Sequence, residues 1–305
     1  MLHLFSYSRL VVQRGLEGLN ESVDAYHKVI ASDPSFAPAY AGLAAAHAAR
    51  SGEEQFDLAE ELAEMRSAAA KAIQLDPLFG EAHEALGMVY ARDAQWGQSE
   101  KSFRRAIEID PSSSDSHRHY ATFLLLPLGR VEEAVQQSRL GQKADPLSPP
   151  ASNGLAYALI SARRYDEAAT YCERLPRDFP ARGQCLGRVR LGQGRASEAL
   201  QILRAALDQG APPDSPTRGY LGYALGRTDR RDEAEKYAAS VAWNPFQQAL
   251  TFAGLGDKER TLEALDRMTM LGPFRIGRAL TFPEFALLRG DPRLKALRRK
   301  VGLPE

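Results

Sequence analysis

The sequence predicts an all-α protein built as a stack of about eight helix-turn-helix repeats and closed by a C-terminal helix. Prolines that end similar segments recur at nearly constant spacing, with 34 residues from Pro77 to Pro111, 35 to Pro146 and 34 to Pro180. Each segment between two of these prolines contains two stretches in which apolar residues recur at the spacing of an α-helix. One amphipathic helix pair cannot bury its apolar stripes alone, so each pair requires neighbours.

The segment from Phe79 to Pro111 shows the repeat most clearly. Its first predicted helix carries Ala82, Leu86, Gly87 and Tyr90 at helical spacing, and its second carries Ser99, Phe103, Ala106 and Ile107. Asp110 and Pro111 end the second helix, as proline requires.

The predicted repeats divide the chain into a solenoid over residues 1–275 and a C-terminal cap over residues 276–305. The repeats cover residues 3–34, 35–77, 78–111, 112–146, 147–180, 181–210, 214–243 and 245–272. The first helix of the first repeat matches poorly, as a terminal repeat does. The cap is predicted to end in a helix from about Pro292 to Val301, whose basic face is expected to be solvated; contact with an anionic partner is the alternative.

The second repeat is longer than the others, because Pro34 and Pro77 are 43 residues apart. The excess lies around residues 51–67. We interpret it as an extended second helix, since LAEELAEMRSAAAKAIQL contains neither Gly nor Pro. An enlarged loop is the alternative, and a role in recognition is less expected than simple length variation.

Composition excludes several classes of protein. Lys plus Arg and Asp plus Glu both number 39, so no general attraction to nucleic acid or to a membrane surface is expected. No apolar run is long enough to span a bilayer, and the first residues lack a signal-peptide cleavage pattern. The two cysteines, Cys172 and Cys185, argue against a disulfide framework. We expect them to be buried and reduced, which indicates a cytoplasmic protein.

The sequence shows no catalytic or metal-binding constellation. Phosphate-loop, nucleophile-elbow and zinc-protease motifs are absent from it. His83 and His117 hold equivalent positions in adjacent repeats, and packing explains both. We therefore expect no enzyme activity, no cofactor and no metal.

The pattern resembles the tetratricopeptide (TPR) repeat. The matching residues in the best-formed segment are Leu86, Gly87, Tyr90, Phe103, Ala106 and Pro111, whereas Ser99 replaces an alanine and His83 an aromatic residue. The resemblance implies a right-handed α-solenoid whose first helices line a concave groove that binds a peptide or a partner domain. Carried over, its groove positions are Arg118, Thr122, Asn153, Tyr157, Gln184, Arg188 and Tyr223. Such side chains suit an extended peptide, although they are also ordinary surface residues.

Longer segments are similar to the C-terminal TPR regions of bacterial signalling regulators. These include residues 17–48, 103–135, 249–268 and 285–304. In that group the TPR region accompanies a winged-helix activator domain, a nucleotide cyclase or a Ser/Thr kinase. The resemblance implies the docking or sensing part of such a regulator, without direct nucleic-acid or membrane binding. The alternatives are a homo-oligomerisation module and, less expected, an enzyme built on the solenoid.

Overall fold

The computed structural model describes residues 7–51, 57–210 and 215–304, and in residues 7–17 the backbone only. These residues form seventeen α-helices, one π-helix and two 3-10 helices, and no strand occurs among them. No helix within these ranges has the length and apolar character needed to cross a membrane.

Fourteen of the helices follow one another along the chain as seven consecutive pairs. The pairs are α2 (Ala37–Arg50) with α3 (Leu58–Leu75), α4 (Gly80–Arg92) with α5 (Trp96–Ile109), α6 (Ser114–His119) with α7 (Val131–Ala144), α8 (Pro149–Ser161) with α9 (Tyr165–Arg174), α10 (Arg182–Gly192) with α11 (Ala196–Asp208), α12 (Pro216–Gly226) with α13 (Arg231–Ser240), and α14 (Pro245–Leu255) with α15 (Lys258–Met268). Helix α6 continues directly into the π-helix Tyr120–Leu125. Helix α3 has 18 residues, whereas α5 has 14, so part of the extra length predicted for the second repeat is helical. The rest of that extra length falls in residues 52–56, which lie outside the described residues.

The first repeat is not a helix pair. Residues 7–32 form one continuous helix, α1 (Tyr7–Ser32), which corrects the predicted turn within residues 3–34. The stretch around the expected turn contains Gly15 and Gly18 but no proline. Glycine lowers helix stability without blocking the backbone hydrogen bonds, so nothing forces a break.

The chain divides into two compact units. Unit 1 extends to Tyr120, and unit 2 begins at Ala121. In unit 1 the fully buried side chains include Met65 and Phe103, and in unit 2 they include Leu155, Leu203 and Leu288. Within unit 1 the first helix α2 contacts α4, and within unit 2 the first helices α8, α10, α12 and α14 contact each other in succession. The two members of each pair that lies within one unit also contact each other.

The recurrent Asp-Pro sequence is a turn signal with a visible mechanism. The carboxylates of Asp33, Asp76, Asp110 and Asp145 each accept a hydrogen bond from the backbone N–H two residues later. Each Asp carbonyl also accepts from the N–H three residues later. The aspartate side chain thus completes the turn that proline initiates between one pair and the next.

One side chain in each of three pairs reaches back to this turn. The Tyr40 hydroxyl donates to the Pro34 carbonyl, and His83 Nε2 and His117 Nε2 lie 3.0 and 3.1 Å from the carbonyl oxygens of Pro77 and Pro111. The carbonyl can only accept, so the ring nitrogen must carry the proton. The equivalence of the two histidines is therefore structural.

The tight contact inside a pair depends on Gly87. A Cβ atom there would lie 2.9 Å from the Phe103 ring, closer than packed atoms tolerate. Ser99, which replaces the expected alanine, donates its hydroxyl to the Gly87 carbonyl at 2.7 Å. The substitution is tolerated because the buried hydroxyl has a partner.

Five of the turns inside the pairs contain a left-handed residue. Positive φ occurs at Ala94, Gly129, Arg163, Gly194 and Gly256, each between the first and second helix of its pair. Glycine adopts this conformation without steric cost, whereas Ala94 and Arg163 do not. These two turns are locally strained.

The C-terminal residues form three short elements. They are α16 (Pro273–Leu280), a 3-10 helix (Pro283–Leu288) and α17 (Pro292–Lys300), the last close to the predicted final helix. The basic face of α17 is partly paired: Arg293 binds Glu259, and Lys300 binds Asp266, both on α15. Those two cations hold α17 against the last helix pair.

Candidate partner-binding groove

The first helices α8, α10, α12 and α14 form the face of unit 2 that the sequence indicated as a groove, here called the inner face of unit 2. Neighbouring members of this set contact each other, and α14 also contacts the 3-10 helix Pro283–Leu288. Of the predicted site residues, Asn153 and Tyr157 lie on α8, Gln184 and Arg188 on α10, and Tyr223 on α12. Thr122 lies in the π-helix at the start of unit 2.

Arg118 belongs to unit 1. It lies on α6, where its guanidinium pairs with Asp115 three residues earlier at 2.6 Å. Nearby, the buried Glu84 carboxylate accepts from Ser116 Oγ at 2.7 Å and lies 2.6 Å from His119 Nδ1. The polar side chains of α4 and α6 in unit 1 are therefore engaged with each other.

Arg188 occupies a different environment from the one predicted. Its side chain is only 1% exposed. Its Nε donates to Glu284 Oε1 at 3.0 Å and its Nη2 to Glu284 Oε2 at 3.3 Å. The expectation that Arg188 is an exposed groove residue is wrong, because the 3-10 helix of the chain's own C-terminal segment covers it.

Aromatic rings complete the surroundings of this ion pair. The Arg188 guanidinium carbon lies 4.8 Å from the Tyr157 ring centre, 4.7 Å from that of Tyr220 and 4.6 Å from that of Phe282. The faces of aromatic rings attract cations, and the attraction strengthens when water is excluded. Arg188 is thus held by one carboxylate and three rings.

The C-terminal segment binds unit 2 at several further points. Arg278 Nε donates to the Tyr157 hydroxyl at 3.1 Å, and Phe274 stacks on Phe123 with ring centres 4.7 Å apart. A Cβ atom at Gly277 would lie 2.9 Å from the Pro127 carbonyl oxygen, so α16 packs closely against this part of the chain. Tyr157, like Arg188, therefore contacts the chain's own C-terminal segment.

Burial sets the protonation of the groups around the ion pair. It raises the pKa of Tyr223 to about 12, with the Glu284 charge adding to the rise. It raises the pKa of Tyr220 well above the ordinary value, and that of Tyr165 as well. Burial opposes the charged form of Arg188, but the Glu284 carboxylate outweighs it, so the pKa stays above the ordinary value. These phenols are neutral, and Arg188 is charged, at physiological pH.

Three predicted residues on the first helices of unit 2 retain partial exposure. Asn153, Gln184 and Tyr223 are half-buried, as is Thr122. Tyr223 also borders a cavity of about 180 Å³ that remains between α10, α12 and the C-terminal segment. The inner face of unit 2 is thus partly filled and partly open.

The two cysteines form a disulfide bond. Cys172 on α9 and Cys185 on α10 are bonded, with Cα atoms 5.6 Å apart. The expectation of two reduced, independent cysteines is wrong. The link between the two helices is short, so both side chains reach the same buried contact, although their separation of 13 residues matches no redox or metal motif.

No cluster of His, Cys, Asp and Glu suited to a metal ion occurs within residues 7–51, 57–210 and 215–304.

Comparison with known proteins supports the fold. No protein-family profile matches the sequence, and no curated protein is significantly similar to it. Solved structures do match. Pseudomonas aeruginosa PilF shares 20% identity with a TM-score of 0.51, covering 74% of this chain and 93% of that one. A tetratricopeptide repeat protein from Parabacteroides merdae shares 14% identity with a TM-score of 0.55, covering 73% and 93%.

The fold is a TPR solenoid. Human IFIT1, solved as a dimer with PPP-AAAA, is also similar, with 15% identity, a TM-score of 0.57 and coverage of 83% of this chain and 68% of that one. At such identities the likeness concerns the arrangement of the helices. It agrees with the seven TPR-like pairs and with the all-α class predicted from the sequence.

The sequence did not reveal Glu284 or Phe282 as partners of the inner face. The segment Phe282-Pro283-Glu284-Phe285 reads as a turn, and the unusual feature in it is a glutamate between two aromatic residues. A buried arginine needs a carboxylate, but nothing in one sequence shows that Arg188 is buried. That signal exists only in three dimensions.

Proposed function

We infer that this chain is a non-catalytic protein-interaction scaffold whose first helices dock a peptide or a partner domain. The observation that carries the proposal is the TPR solenoid fold, with polar, partly exposed side chains on successive first helices. The proposed contact residues of unit 2 are Thr122, Asn153, Gln184 and Tyr223, and Arg118 is a separate candidate contact on unit 1. Tyr157 and Arg188 support this surface from behind, since they bind the C-terminal segment. Preformed helices lose little entropy on binding, which favours this mode of recognition.

The biological setting belongs to the same proposal. The resemblance of residues 17–48, 103–135, 249–268 and 285–304 to TPR regions of bacterial regulators supports the docking or sensing part of a signalling or transcriptional regulator. Such a part would be cytoplasmic. The disulfide Cys172–Cys185 is a feature of oxidising compartments. Alkylation of free thiols at lysis decides between a cytoplasmic and an oxidising compartment. Two alkylated cysteines support the cytoplasmic location, and two cysteines protected from alkylation by their disulfide bond contradict it.

A comparison of two double variants tests the scaffold proposal. Asn153→Asp with Gln184→Glu adds two negative charges to the inner face of unit 2. The control, Gln136→Glu with Gln201→Glu, adds the same charge to exposed positions on the second helices α7 and α11. We expect partners captured by the wild type to be lost from the first variant and kept by the control. Equal recovery from both would refute docking at the inner face.

Homotypic assembly is a second candidate, favoured by exposed apolar side chains in unit 2. Leu147 is 92% exposed, Met270 90% and Trp243 53%, and each follows the second helix of a pair. Exposed apolar groups of this kind are enriched at interfaces when they cluster. Light scattering over a concentration series tests it, because a strict monomer excludes this function.

A further inference from the structure

Residues 273–289 cover part of the inner face of unit 2 and are here called the covering segment. They contain α16, the 3-10 helix Pro283–Leu288 and the turn between them. Ring contacts and hydrogen bonds join the covering segment to the π-helix, to α8, to α10 and to α14. The first three of these elements carry positions at which the sequence predicted a docked partner. The chain thus places one of its own segments where a peptide was expected.

The covering segment is attached to these helices through its side chains. Its backbone hydrogen bonds are local, as in the bond of 3.1 Å from the Phe285 N–H to the Phe282 carbonyl. It is bounded by two glycines with positive φ, Gly272 at +86° and Gly290 at +83°. Glycine adopts such angles without steric cost, so the chain changes direction freely at both ends. The covering segment therefore has the attachment of a docked peptide with a tether at each end.

The centre of the contact is a glutamate between two phenylalanines. Glu284 accepts two hydrogen bonds from the buried Arg188, and the Phe282 ring centre lies 4.6 Å from the same guanidinium. Phe282 also meets Tyr157 edge to face, with ring centres 5.6 Å apart, and Phe246 in the same way at 5.9 Å. The covering segment thereby supplies a negative charge and an aromatic ring to groups on α8, α10 and α14.

The groups left behind on release select what replaces the covering segment. Release removes the carboxylate from the Arg188 guanidinium, which Tyr157 and Tyr220 still flank. A charge beside rings of low dielectric constant is unfavourable without its counter-ion, and the apolar surface of the rings returns to water. A ligand exchanges with the covering segment at little net cost only if it restores both the carboxylate and the ring contacts.

The open and the covered residues of the inner face are neighbours on the same helices. Asn153 and Gln184 are half-buried, and each precedes by four positions a residue that contacts the covering segment, Tyr157 on α8 and Arg188 on α10. Residues four apart lie on the same side of a helix, about one turn from each other. A partner that docks at the open residues therefore meets the edge of the covering segment.

We propose that the covering segment is an intramolecular ligand that regulates the inner face, and that a partner binds by displacing it. The displacing segment of the partner carries a glutamate flanked by aromatic residues, as Phe282-Pro283-Glu284-Phe285 does. This inference rests on the proposed function, because it names the partner chemistry and the regulation of the same surface. The tethers give the covering segment a high effective concentration, so partners without this chemistry are excluded.

A peptide copy of the covering segment tests the exchange in the full chain. Residues 273–289 are synthesised with a fluorescent label, and anisotropy measures their binding to the wild type and to Phe282→Ala. The variant keeps the groups on α8, α10 and α14 but weakens the covered state. Because apparent affinity rises with the fraction of open molecules, we expect at least about tenfold tighter binding to the variant. The peptide that carries Glu284→Gln is expected to bind the variant at least about tenfold more weakly than the unaltered peptide.

The matched control is Phe103→Ala, which removes a buried phenylalanine from unit 1 and leaves the covering segment intact. Folding is checked by circular dichroism, and Phe282→Leu takes the place of Phe282→Ala where the latter is unfolded. Equal affinity of the peptide for the wild type and the Phe282 variant would overturn the proposal. A gain of the same size in Phe103→Ala would also overturn it, since the effect would then come from lost stability alone.

Hydrogen exchange of the wild type provides an arm without any variant. The Phe285 N–H is expected to exchange at least about tenfold faster than the Val189 N–H on α10, after correction for intrinsic rates, because the covering segment opens without unfolding of the helices. Equal protection of the two would mean that the segment opens only with the whole of unit 2, and it would overturn the proposal.

Partner capture separates this inference from the proposed function. Loss of partners from Asn153→Asp with Gln184→Glu, without a peptide gain in Phe282→Ala, would keep the scaffold and remove the regulatory role. A peptide gain with no partner captured would keep the covering segment as a ligand and remove the scaffold. A dimer in which two copies exchange covering segments would assign the second copy as occupant and overturn the proposal of a foreign partner.

Discussion

The buried ion pair Arg188–Glu284 makes a strong prediction about stability. The two side chains are 1% and 6% exposed, and they join residues 96 positions apart in the sequence. Replacing Arg188 by Met leaves a buried carboxylate without a partner, and replacing Glu284 by Leu leaves a buried guanidinium. Each single change is expected to lower the free energy of unfolding by about 3–5 kcal/mol. The cost comes from the uncompensated charge.

The double variant separates this charge effect from simple loss of packing. Arg188→Met with Glu284→Leu buries no charge, and it is expected to lower the free energy of unfolding by far less than the sum of the single changes. The matched control pair is Arg195 with Glu198, whose side chains are 49% and 47% exposed. Its double-mutant coupling is expected to stay below about 0.5 kcal/mol, as for other exposed pairs.

Urea unfolding followed by tryptophan fluorescence measures these effects. The change Trp96→Phe in every variant leaves Trp243 as the reporter of unit 2. A loss of 3–5 kcal/mol is a large share of the stability of a domain, so a parallel series in trimethylamine oxide keeps the weakest variants folded. Additive single changes, or single losses under about 1 kcal/mol, would refute the buried ion pair.

Further predictions concern a turn, the disulfide and acid sensitivity. Arg163 has φ +61°, so Arg163→Gly is expected to raise the free energy of unfolding by about 0.5–1 kcal/mol in urea titrations; a loss would contradict the strained turn. Cys172→Ser opens the loop closed by its bond to Cys185 and is expected to cost about 3 kcal/mol; two free cysteines in a thiol titration of the unfolded wild type would contradict the bond. The Ser112 hydroxyl and N–H lower the pKa of the Asp110 carboxyl. Because the folded-state pKa is lowered, the ionised carboxylate stabilises the folded protein at neutral pH, and this stabilisation is lost as the pH falls through the folded-state pKa. Ser112→Ala is therefore expected to raise the pKa of Asp110 in a carbon-detected NMR titration, and an unchanged value would refute the hydrogen bond.

Local and repeated features of the fold could be predicted from the sequence. The Asp-Pro turns and the order of helices from α2 to α15 depend on interactions within one pair or between adjacent pairs. The repeat period near 34 residues is therefore enough to predict these features from the sequence. The single helix α1 was missed because a weak first helix and an unbroken helix have the same composition.

The inner face could be predicted only in part. Helical position identified Tyr157, Arg188 and Tyr223 as residues of the first helices, and the structure places them there. The position of a residue in a helix could not show that the segment around Glu284 covers Arg188, because that contact joins residues far apart in the sequence and outside the repeat period. The disulfide was missed for a related reason, since the geometry of α9 and α10 decides it and the spacing of the cysteines does not.

The contact between Arg188 and Glu284 also bears on how the chain is made. A ribosome adds residues in order, at about 5–20 residues per second, so Arg188 is synthesised 96 residues before its carboxylate. During that interval the helices α8 to α12 can pair, but their arginine has no counter-ion and their rings have no Phe282 to contact. Unit 2 therefore reaches its final packing only after residues 282–284 have left the ribosome, and a nascent chain stalled before residue 282 would present an unneutralised arginine among exposed aromatic side chains.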